Sequence, residues 1–146
     1  MLTNFSQMSL MPRVREGKPD LNYLDFVIDG NHLSDIDEIG EMDVVSCFGD
    51  ASIALANESW LALTLQHRSV ETALLYVCPL CADIACGAVQ VGVSRTEYEF
   101  VWNSFSYVNG YDDPKPLLVG PFKFEAQAYL QALRDVPHLL ESQARK

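Results

Sequence analysis

Residues 88–107 read Ala-Val-Gln-Val-Gly-Val-Ser-Arg-Thr-Glu-Tyr-Glu-Phe-Val-Trp-Asn-Ser-Phe-Ser-Tyr, and they decide the fold class. Val89, Val91 and Val93 recur at every second position, the period of a strand with one buried face. Ser94–Thr96 is a turn, and Glu97–Tyr107 is aromatic-rich, so it reads as the partner strand of an antiparallel hairpin. Alternation puts Tyr98, Phe100 and Trp102 on one face of that strand and Phe105 and Tyr107 on the other, unless a bulge intervenes.

Working outward, Glu71–Val77 is apolar on both faces, as a central strand requires. Asp43–Phe48 and Leu21–Asp29 read as further strands. Asp29-Gly30-Asn31 is a turn signal that returns the chain into a short strand at His32–Ile36. A helix starts after Gly49, with Asp50 as its N-cap. Ile53, Ala56, Trp60, Leu61 and Leu63–Leu65 give it an apolar face through Gln66. A second helix over Glu125–Val136 places Ala126, Tyr129, Leu130 and Leu133 on one stripe and ends at Pro137. Asn109–Pro116 is a loop. The 146 residues suffice for one domain with a real core. The expected architecture is α+β: an antiparallel sheet of about five to six strands with two main helices packed on one face. Residues 1–20 read as a flexible arm, 21–136 as the domain and 137–146 as a tail.

Charge is distributed unevenly. Ten Lys and Arg face twenty Asp and Glu, a net charge of −10. Between Pro19 and His67 there are ten acids and no base, so this third of the chain carries the whole excess. That balance argues against binding nucleic acid or an anionic membrane. Asp35, Asp37, Glu38, Glu41 and Asp43 form the densest run. They read either as a docking face for a basic partner or as a solvated loop. The run lacks the ligand spacing and central glycine of a calcium loop. Tyr111, Asp112 and Asp113 put an aromatic and two acids on a loop, a second candidate for partner binding.

Cys78-Pro-Leu-Cys81-Ala-Asp-Ile-Ala-Cys86-Gly87 is the most unusual local pattern. Cys78, Cys81 and Cys86 could hold a zinc ion if Cys47, His32 or His67 supplied a fourth ligand. They could also act as redox or nucleophilic thiols, or be small buried residues in a tight connection. No phosphate-binding loop, dinucleotide fingerprint, H-E-x-x-H or G-x-S-x-G occurs, and His32, His67 and His138 sit in no catalytic motif. The sequence therefore favours a binding protein without a cofactor over an enzyme. The N-terminus has neither the charged nor the apolar part of a signal peptide, and no apolar run is long enough to span a membrane. The expected compartment is the cytoplasm.

The stretches Leu24-Asp25-Phe26-x-Ile28-Asp29-Gly30, Cys78-Pro79-x-Cys81-x-Asp83-x-x-Cys86-Gly87-Ala88 and Gly120-Pro121-Phe122-x-Phe124 resemble a group of small bacterial proteins. The resemblance runs over roughly residues 21 to 135. Where that group has Gly after the second cysteine, this chain has Ala82, and the group carries no catalytic residues to transfer. The profile of a short, acidic, single-domain chain also resembles bacterial immunity proteins, including those of contact-dependent growth inhibition systems. That resemblance implies binding and occlusion of a cognate basic toxin domain, a nuclease for example. It identifies no residues.

Overall fold

A computed structural model describes residues 5–15, 21–36, 39, 44–49, 53–66, 69–78, 87–134 and 136. Strands β1 (Met8–Arg15), β2 (Leu21–Ile28) and β3 (Asn31–His32) form a three-stranded antiparallel sheet, and a 3-10 turn follows at Leu33–Asp35. After β4 (Val45–Ser46) comes helix α1 (Ile53–Leu63). Then β5 (Val70–Val77), β6 (Ala88–Arg95), β7 (Glu99–Val108), β8 (Lys115–Pro116) and β9 (Phe122–Glu125) lead into helix α2 (Ala126–Arg134). β4 to β8 pair in chain order, and β9 also pairs with β7, giving a six-stranded antiparallel sheet. Among the described residues the chain is α+β with the two helices α1 and α2. Among the described residues its strands divide between two sheets rather than one.

Those sheets are joined at two places. The Leu24 amide donates to Phe48 O at 2.7 Å, and Tyr23 bridges to Gly49, which ties β2 to the end of β4. Ahead of β1, the Ser6 amide donates to Lys123 O of β9 at 2.7 Å. Main-chain hydrogen bonding therefore continues from one sheet to the other through β2 and through the N-terminal segment. This explains why β2 is buried on both faces from Tyr23 onward.

Residues 8–15 do not behave as an arm. Met8–Arg15 pairs along its full length with β2, from Met8 opposite Ile28 to Arg15 opposite Leu21. Its polar residues fit an edge strand, where one face meets solvent. The expected turn after β2 does form: Asp29 (φ 54°) and Gly30 (φ 84°) occupy the left-handed region that a two-residue hairpin needs. The return strand is shorter than expected, because the chain coils into the 3-10 turn after His32.

A bulge interrupts β7. Gln90 lies opposite Ser106 and Gly92 opposite Asn103, so β7 carries one extra residue, and Ser104 takes φ 56°. The extra residue resets the alternation. Phe100, Trp102 and Phe105 are all buried as a result, whereas Tyr98 lies in the exposed turn before the strand. Val89, Val91 and Val93 are fully buried across from them.

Trp102 is the centre of this core. Its ring meets Phe26, Phe105, Phe124 and Tyr129 edge-on, at centroid distances of 5.2 to 6.2 Å. Pairs of this kind add about 0.5–1.5 kcal/mol each beyond area burial. The indole Nε1 of Trp102 donates to the Tyr129 hydroxyl at 3.0 Å, and that hydroxyl donates to Leu63 O at 2.7 Å. Trp60 Nε1 donates to Leu133 O at 2.8 Å. The two helices are thereby fastened to each other and to β7. Glu125 starts α2 by accepting from the amides of Gln127 and Ala128 at 3.1 and 2.8 Å. Among the described residues no helix is long and apolar enough to cross a membrane.

Gly49 is where β2 and the end of β4 approach most closely. A Cβ there would lie 2.5 Å from Asn22 O and 2.6 Å from Tyr23 Cβ. Gly49→Ala should cost about 1–3 kcal/mol by overpacking and lower the melting temperature by roughly 3–10 °C, read by thermal denaturation. An unchanged melting temperature would show that this junction does not hold the sheets together.

Candidate functional site

The least expected feature is a charge inside the core. Asp25 lies mid-strand in β2 between Leu24 and Phe26, and its side chain is fully buried. An ionised carboxylate there needs donors on both oxygens. Oδ1 accepts from the Tyr76 hydroxyl of β5 at 2.6 Å and from the Phe26 amide at 2.9 Å. Oδ2 accepts from the Ser34 hydroxyl at 2.5 Å, meets His32 Nδ1 at 2.8 Å and receives Arg13 Nη1 of β1 at 3.4 Å. The donors come from β1, β2, β3, the 3-10 turn and β5.

The sequence marks the position only as an acid within an apolar run. Asp25 is one of the ten acids between Pro19 and His67, and the structure removes it from any surface.

Arg13 extends the network outward. Its Nη1 donates to Ser34 Oγ at 2.8 Å and to Asp35 Oδ1 at 2.9 Å, and Nη2 reaches Asp35 Oδ2 at 3.4 Å. That fork holds the Asp35 carboxyl below its ordinary range, through the hydrogen bond first and the charge second, and raises Arg13 in return. Asp35 was expected on a partner-binding face. It is exposed, but its charge is already matched within the chain. Asp37, Glu38, Glu41 and Asp43 lie outside the described residues.

His32 packs against Asp25 with its side chain 22% exposed. It lines a groove of about 360 Å3, with Ile28, Leu33, Ile36 and Phe122 as apolar walls and Asp29, Asn31 and Asp35 as polar lining. A histidine held by an aspartate can hydrogen-bond a molecule in such a groove. The neighbouring Ser34 hydroxyl is committed to Asp25, so it is not held as a nucleophile against His32.

The second predicted locus is a rigid turn. Asn109 Oδ1 accepts from the amides of Tyr111 and Asp112, both at 2.8 Å. Tyr111 is 87% exposed, and Asp112 and Asp113 are exposed beside it.

The cysteines are only partly described. Cys78 is half-buried and free, and Cys81 and Cys86 lie outside the described residues. Cys47 is buried, donates its thiol to Leu74 O at 3.3 Å and is pushed up to about 12 by burial. It is therefore not a poised nucleophile. Among the described residues no group of three or more His, Cys, Asp or Glu is arranged to hold a metal. His67, a candidate fourth ligand, and His138 lie outside the described residues. Comparison with family descriptions, curated proteins and solved structures finds no match to this chain.

Burial also raises the phenols of Tyr76 and Tyr129 well above their ordinary value, and the nearby Asp25 charge adds to the effect at Tyr76. These two and Cys47 stay protonated in the fold at pH values where the unfolded chain has lost those protons. Their contribution to stability is complete below about pH 9 and declines as pH rises through 10, by up to ~1.4 kcal/mol per pH unit for each group. Chemical denaturation from pH 8 to about 11 should show this fall, and a flat profile would mean these groups are open to solvent. Tyr76→Phe removes one donor to Asp25 and should cost about 1–3 kcal/mol by the same measurement. A cost near zero would mean the carboxylate does not depend on that donor.

Proposed function

We propose that this protein is an immunity-type binding protein. It docks on and occludes a cognate basic toxin domain, a nuclease in the first instance, in the cytoplasm. The observation that carries this reading is the Tyr111–Asp113 turn. It is an almost fully exposed aromatic beside two acids, on a backbone that Asn109 holds in place before any partner arrives. Ordering such a loop in advance lowers the entropy lost on binding. An exposed tyrosine is a residue type that concentrates binding energy at interfaces.

The charge supports the same reading. A net charge of −10 attracts a basic domain over long range, and its acids stand in for the phosphates that a nuclease cleft is built to meet. The same charge disfavours direct binding of nucleic acid by this chain. With Asp35 matched by Arg13, the exposed acids Asp112 and Asp113 carry more of the steering than the sequence alone suggests.

The test is affinity purification of the tagged protein from its native lysate, followed by kinetics with the captured domain. A basic nuclease domain at one copy per chain is expected. Replacing Asp112→Lys and Asp113→Lys together should slow association about tenfold or more at low salt and flatten its salt dependence. Tyr111→Ala should speed dissociation by roughly 10- to 100-fold. Equal rates for wild type and variants, or an on-rate constant from about 50 to 500 mM salt, would overturn the reading.

A further inference from the structure

The groove beside His32 has a lining that specifies its guest. Two of its four polar side chains, Asp29 and Asp35, are carboxylates. Asp29 accepts from the Gln7 amide through Oδ1 at 2.9 Å, and its second oxygen has no partner among the described residues. Both Asp35 oxygens bond to Arg13 on one side, leaving lone pairs for another donor. His32 and Asn31 complete the polar lining. Between these groups stand the side chains of Ile28, Leu33, Ile36 and Phe122.

A guest that fits must bring several N–H donors and positive charge at one end, and an apolar stem behind them. We infer that the groove seats an arginine side chain of a protein partner, an inference that rests on the binding role proposed above. The planar guanidinium has five donors in a fixed fork, which suits two carboxylates placed around a groove. Its methylenes cover the aliphatic walls, and the Phe122 ring favours a cation at its face. An anionic guest would meet the carboxylates of Asp29 and Asp35 as like charges.

Capped arginine (the N-acetyl, N′-methylamide derivative) serves as the probe, titrated into the whole chain and followed by NMR at His32 and Ile36. Saturable shifts are expected at both residues. Asp29→Asn should weaken the probe roughly 3- to 10-fold. This variant keeps the acceptor for the Gln7 amide and suits the left-handed conformation of residue 29, so the turn survives. Tetramethylammonium at the same ionic strength should shift neither residue.

Absence of a saturable shift up to about 50 mM probe, or full affinity in Asp29→Asn, overturns the inference. Free arginine binding tenfold or more tightly than the capped form overturns it too, because the groove would then serve an amino acid. The two proposals fail separately. If a basic domain is captured and capped arginine does not bind, the groove inference alone falls. If capped arginine binds and no basic toxin domain is captured, the immunity reading falls and the groove retains its arginine chemistry.

Discussion

The carboxylate of Asp25 is the constraint on which the first sheet depends. A buried charge is tolerated only when its lone pairs are filled, and the partners of Asp25 come from five separate pieces of the chain. The requirement fixes where those pieces sit. Arg13 must approach, so β1 packs along β2 instead of trailing into solvent. Ser34 and His32 must turn inward, so the chain coils after β3. Tyr76 must reach across from β5, which links the small sheet to the large one.

A second constraint works through shape. Trp102 is ringed by aromatics from β2, β7, β9 and α2, and a single extra residue in β7 aims Phe105 at the same cluster. The Tyr129 hydroxyl then carries hydrogen bonding from Trp102 to the end of α1. Polar atoms within the aromatic core are paired, as the low dielectric there demands. The helices are held by specific bonds as well as by burial.

These two constraints leave the groups proposed for binding at the edges of the fold. Asp25 spends its charge on the fold. Asp35 spends much of its charge on Arg13 while remaining exposed beside the His32 groove. The turn at Tyr111 is stabilised by its own Asn109, so its aromatic and acidic groups remain available to solvent. A rigid frame with exposed recognition groups suits a protein that acts by binding.

Residues 88–107 were legible because strand alternation is a local property, and so was the Asp29-Gly30 turn, where left-handed φ favours short polar residues and glycine. The stripe of α2 and the turn at 109–113 follow from periodicity and turn chemistry in the same way, whereas Lys115–Pro116, expected in that loop, pairs with β7 as β8. The order of β1 could not be read, because its stability comes from Arg13 meeting acceptors up to 22 positions away. Nor could the reset of facing at Phe105, since a bulge is set by the partner strand and the core it must fill. The sequence by itself determined most of the elements, the fold class and the excess of negative charge. Only the tertiary structure decided which acids are buried, which are matched and which are free, because pairing depends on distance in space and not on separation along the chain.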